Sequence, residues 1–125
     1  MLLADKDIAP LMGGQYVQVT LHVGEYPGRK DRETPGGSQY LKKVARRPAG
    51  TPFYVVLNSR GELIGDAFFA RLKDERLVNI GYPLNDGEIA KFLDLLRSTS
   101  KLSEAQCARI DLRLKQLAKK WLSTK

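Results

Sequence analysis

The stretch "AGTPFYVVLNSRGELIG", residues 49–65, decides the fold. Thr51-Pro52 leads into 53–57, Phe-Tyr-Val-Val-Leu, which is continuously apolar and rich in aromatic and β-branched residues. That is the composition of a central strand covered on both faces. Asn58-Ser59-Arg60-Gly61 then supplies a turn with glycine where a positive φ is needed, and the chain from Leu63 onward returns antiparallel. The stretch therefore predicts a proline-led strand, a tight turn and a second strand.

Upstream, residues 5–12 read as the tail of a helix closed by Gly13-Gly14, which tolerate a left-handed end. Residues 16–23 alternate, with Val17, Val19, Leu21 and Val23 facing one way, and predict a half-buried strand. Residues 24–37 carry Pro27, Pro35 and several glycines and read as a solvated loop. From Ser38, an N-cap candidate, Tyr40, Leu41, Val44 and Ala45 share one helical face while Lys42, Lys43, Arg46 and Arg47 point out, and Pro48 ends the helix.

Downstream, residues 77–80 predict one more short extended piece. Asn85 and Glu88 have capping-box spacing, with Leu84 and Ile89 in the staple positions, so a helix follows with Ile89, Phe92, Leu93 and Leu96 on its buried face. Ser103 and Gln106 repeat the device and start a second helix, whose apolar stripe is read as Ile110, Leu114, Leu117 and Trp121. A strand, a crossover helix and a fully apolar strand predict a parallel βαβ unit, to which the hairpin adds an antiparallel edge.

The chain has 125 residues, 42% of them hydrophobic, which suits one domain with one core. No apolar run approaches membrane-spanning length, and the opening "MLLADKDIAP" lacks the features of a secretory signal. A single cysteine, Cys107, excludes an internal disulfide and any Cys-based zinc site, and the lone His22 cannot assemble a metal cluster by itself. No cofactor is expected. The formal charge of +7 permits acidic partners, anionic surfaces or nucleic acid without selecting among them.

These residues in this order resemble the later part of a thioredoxin-like domain, and more narrowly the C-terminal domain of bacterial thiol:disulfide interchange proteins. "LLADKDIAPLMGGQYVQVTLHV" is similar to the segment where that family's active-site helix ends and its next strand begins; "GTPFYVVLNSRGELIG" resembles its cis-proline loop and hairpin; "GYPLNDGEIAKFLDLL" resembles its last helix. The likeness spans residues 2–97. It implies an α/β, thioredoxin-like fold that is incomplete, a βαββα core lacking the first strand, with an added C-terminal helix. It also implies a thioredoxin-like domain over residues 1–100 and an amphipathic basic helix over 101–125. The family's first strand and Cys-x-x-Cys would lie upstream of Leu2, so the expectation is either a reductase whose start lies further upstream or a degenerate, non-catalytic relative.

A thioredoxin-type reductase needs a low-pKa thiolate at a helix N-terminus and a second thiol to resolve the mixed disulfide. Cys107, inside a helix at a staple position, reads as a small buried apolar residue rather than a nucleophile, and His22 as a surface histidine. The basic helix faces read as solvated surfaces; the rival reading is a small basic binding module that sets its C-terminal helix on an acidic partner, be it nucleic acid, an anionic surface or protein. The resemblance carries over one site, Thr51 and Pro52, where the residue before a cis-proline offers its backbone to an extended peptide. On structural grounds alone, Pro52 shapes only the start of a strand. The absence of a central strand would leave its neighbours, 16–23 and 53–57, open to self-association. The family's members are often periplasmic or membrane-tethered, which leaves the compartment of this chain open.

Overall fold

A computed structural model describes residues 5–25, 27–45, 52–70 and 77–123. Helix α1 (Ala9–Gly13) is followed by a kinked 3-10 segment (Pro27–Arg32), α2 (Gly37–Ala45), strands β1 (Val55–Leu57), β2 (Leu63–Asp66), β3 (Phe68–Ala70) and β4 (Leu77–Asn79), then α3 (Asp86–Thr99) and α4 (Glu104–Ser123).

The hairpin forms as its turn chemistry requires. Gly61 takes φ +79, and the Asn58 side chain accepts from the backbone N–H groups of Arg60 and Glu62 at 2.9 and 3.0 Å. Val55 pairs with Asp66, Val56 with Gly65 and Leu57 with Leu63, so Ile64 is an extra residue that bulges β2. Fully buried Ala67 joins this pair to the next: its N–H donates to the Tyr54 carbonyl at 3.0 Å, and its carbonyl accepts from Ile80 at 2.8 Å. Beyond it, Phe68 pairs with Asn79 and Ala70 with Leu77, again antiparallel.

The core lies mostly among helices. Ile8, Ile89, Phe92, Leu93, Leu96, Leu102, Cys107, Ile110 and Leu114 form one buried cluster, with Tyr16 and Tyr54 packed against it. The helices start where their boxes place them. Asn85 Oδ1 accepts from the Glu88 N–H at 2.8 Å while Glu88 Oε1 accepts from the N–H groups of Leu84 and Asn85, and Ser103 and Gln106 exchange the equivalent bonds at 3.1 and 2.9 Å. α3 meets the sheet at Gly65, where an added Cβ would collide with Leu95 Cδ1.

Several expectations are corrected. Residues 16–23 form no strand: they run without helix, turn or bend and pair in a ladder with none of the described residues, and Val17 is 95% exposed. Alternation reports which side chains could share a face, not whether a neighbouring strand exists to pair with. Both strand pairs are antiparallel, and no parallel pair occurs among the described residues. The 53–57 strand is shorter than its apolar run and not covered on both faces, for β1 begins at Val55 and Leu57 is exposed. Gly14 closes α1 at φ −76, a right-handed rather than left-handed end. The buried face of α4 is Cys107, Ile110, Leu114 and Ala118; Trp121 follows on the same face but is 45% exposed, because burial ends at Ala118 and residues 119–123 are exposed all round.

Candidate functional site

Pro52 is the described half of the Thr51-Pro52 pair; Thr51, and with it the geometry of the bond between them, lies outside the described residues. The ring of Pro52 is exposed just before β1, and its carbonyl accepts a hydrogen bond from Asn79 Nδ2 at 3.0 Å. Asn79 is held in turn, since its Oδ1 accepts from the Gly81 N–H at 3.0 Å. Gly81 adopts φ +63, and a Cβ placed there would sit 3.8 Å from the Pro52 carbonyl oxygen. The 79–81 corner thus holds the carbonyl of Pro52, which is itself exposed.

Behind this loop lie two aromatic contacts. Phe53 stacks in a tilted arrangement on Phe68 with centroids 4.8 Å apart, and Tyr54 meets Phe92 edge-on at 5.9 Å. The Tyr54 hydroxyl is buried and has no hydrogen-bond partner among the described residues. Burial pushes its phenol well above the usual tyrosine value, and the charge of Glu88 adds to the rise.

Cys107 is fully buried in the α3–α4 core, and none of the contacts at Pro52 involves it. In the nearby groove between α3 and α4, about 310 Å³ in volume, both basic groups are engaged: Arg97 bonds Glu104 at 3.0 Å and Asp94 at 3.2 Å, and Lys115 bonds Asp111 at 3.0 Å. His22 is exposed and reaches the rest of the fold through its backbone, donating to Thr34 Oγ1 at 2.8 Å. Among the described residues no group of three or more His, Cys, Asp or Glu could hold a metal ion, and no helix is long and apolar enough to cross a membrane.

Sequence reasoning missed Asn79. Its signal was available as Asn79-Ile80-Gly81, an Asn placed two residues before a glycine, which is the pattern of a side chain closing a turn on its own backbone. Its partner, Pro52, lies too far away in sequence for any local rule to supply. The arrangement can present exposed Pro52 and the backbone that follows it to another chain, and among the described residues it brings no thiol there. No match to this chain is found among protein families, curated proteins or solved structures.

Proposed function

We propose that this chain is a thioredoxin-fold relative of the thiol:disulfide oxidoreductases that acts through peptide binding at its proline loop rather than through disulfide exchange within its own sequence. The observation that carries the reading is the hold on Pro52: the Asn79 amide donates to its carbonyl while the residue itself is exposed. A backbone position held in this way has less ordering left to lose on binding. The chain's one thiol is buried and has no second thiol to resolve a mixed disulfide. A reductase role would draw on cysteines outside this sequence.

The rival, a basic helix set on an acidic partner, is less well supported. Arg113 is engaged with Asp5 and Asp7, and Lys115 with Asp111, so a share of the α4 charge is already neutralised.

The test uses reduced, carboxymethylated ribonuclease as an extended polypeptide probe, followed by amide shifts in heteronuclear NMR. Binding at the loop moves the amides of Phe53, Tyr54, Asn79 and Gly81, and Pro52→Ala weakens it. Binding that leaves those amides still, or that Pro52→Ala does not affect, overturns the reading.

A further inference from the structure

Residues 17–21 form a bridge between two anchors. At one end the Tyr16 N–H donates to the Met12 carbonyl at 2.9 Å, and the Tyr16 hydroxyl bonds Thr99 Oγ1 at 2.6 Å. At the other, the His22 N–H donates to Thr34 Oγ1 at 2.8 Å, and the His22 carbonyl accepts from the Thr34 N–H at 2.9 Å. Between them the chain has no helix, turn or bend, and no backbone group makes a hydrogen bond to any described residue. Gln18 Nε2 reaches Thr20 Oγ1 two residues on, as side chains on one face of an extended chain do. Val17, Val19 and Leu21 are 95, 77 and 39% exposed.

A row of open backbone donors and acceptors flanked by β-branched and apolar side chains is a template for strand pairing. What fits it is set by charge and by parity. Residues 8–24 carry no Lys, Arg, Asp or Glu, the longest uncharged run in a chain of net charge +7. This is the surface on which two copies approach with least repulsion. Antiparallel pairing about a two-fold axis through Val19 sets Val17 opposite Leu21, Val19 opposite itself and Gln18 opposite Thr20. Every apolar residue then meets an apolar one on one face, and polar meets polar on the other.

We infer that residues 17–21 pair antiparallel with the same residues of a second copy, making an isologous dimer centred on Val19. The inference uses none of the residues at the proline loop, so it does not depend on peptide binding there. The anchors fix its length: Tyr16 and His22 are already bonded within their own chain, and the ladder stops at them.

Sedimentation across a concentration series gives a mass rising to twice that of the chain. Val19→Lys sets two ammonium groups opposite each other and weakens association by about tenfold or more. It leaves the thermal transition of the monomer unchanged, because the site lies outside the core. Val19→Cys forms a disulfide with its own copy under mild oxidation, since cross-strand Cα atoms about 4.5 to 5.5 Å apart suit one. Exposed Ser59→Cys does not cross-link at that rate, and Cys107, fully buried, stays out of the reaction. A monomer at every concentration, a Val19→Lys variant that associates like wild type, or a Val19→Cys chain cross-linking no faster than Ser59→Cys overturns the inference. So does a monomer that instead takes up a strand of unrelated sequence.

Discussion

Arg113, in the middle of α4, holds Asp5 at the other end of the chain through two of its three guanidinium nitrogens and both carboxylate oxygens. Nη2 lies 2.9 Å from Oδ1, and Nε lies 3.1 Å from Oδ1 and from Oδ2. The same Asp5 carboxylate accepts from the N–H groups of Asp7 and Ile8, so one acid both ties the chain start to α4 and caps the turn that delivers Ile8 to the core.

The Asp5 carboxyl is held below its usual value of 3.8, first by the Arg113 hydrogen bonds and further by the neighbouring backbone N–H groups, against the opposing effect of burial. A depressed carboxyl contributes stability that is complete above the unfolded value, about 3.9 for Asp, and is lost as pH falls through the folded value. Acid unfolding followed by circular dichroism should therefore show a loss of stability below about pH 4. Asp5→Asn should be less stable than wild type at neutral pH, and the gap should close in acid. A gap that stays constant down to pH 2 would mean that the pair contributes no charge-dependent stability.

Cys107 has no exposed surface and packs among Leu93, Ile110 and Leu114. Its thiol should be inert to an aromatic disulfide reagent in the native protein and react fully once the chain is unfolded in denaturant. Rapid native labelling would show that α4 opens readily from α3.

The elements that were legible in the sequence are those set by local chemistry. Asn85 with Glu88 and Ser103 with Gln106 start helices because three-residue spacing alone brings side chain to backbone, and Gly61 turns the hairpin because its φ demands glycine. What failed depended on distant partners. The 16–23 alternation could not reveal that no strand lies beside it, and the α4 stripe could not tell that the core ends at Ala118, one turn short of Trp121. The site was half legible. Pro52 stood out as the residue that begins a strand, whereas Asn79, which fixes it, joins it only through the folded sheet.

That error on α4 gives a quantitative contrast. Leu114 is fully buried, and Leu114→Ala should cost about 2 to 5 kcal/mol. Trp121 is 45% exposed, so Trp121→Ala should cost clearly less, despite removing the larger side chain. Denaturant titrations of the two variants settle the order, and a larger loss at Trp121 would place the α4 core face where the sequence alone put it.

Tyr54 presents the opposite sign. Its ring packs on Phe92, but its hydroxyl is buried with no partner among the described residues, so the fold carries the cost of desolvating that group without a hydrogen bond to offset it. Removing an unsatisfied polar atom while keeping the ring recovers that cost, so Tyr54→Phe should stabilise the protein by up to about 1 to 2 kcal/mol. The pH dependence provides a second reading of the same atom. Burial, then the Glu88 charge, raises the phenol's pKa in the folded state, so the folded chain keeps its proton when the unfolded chain, with an ordinary value near 10, releases it. Stability linked to Tyr54 is therefore complete below about pH 10 and falls as the pH rises beyond it. In Tyr54→Phe that part of the alkaline loss should vanish, so the margin over wild type should widen with pH. Thermal melts at pH 7, 9 and 10.5 measure both effects. A variant less stable than wild type at pH 7 would mean that the hydroxyl has a partner in solution, and a margin unchanged at pH 10.5 would mean that the phenol ionises as freely folded as unfolded.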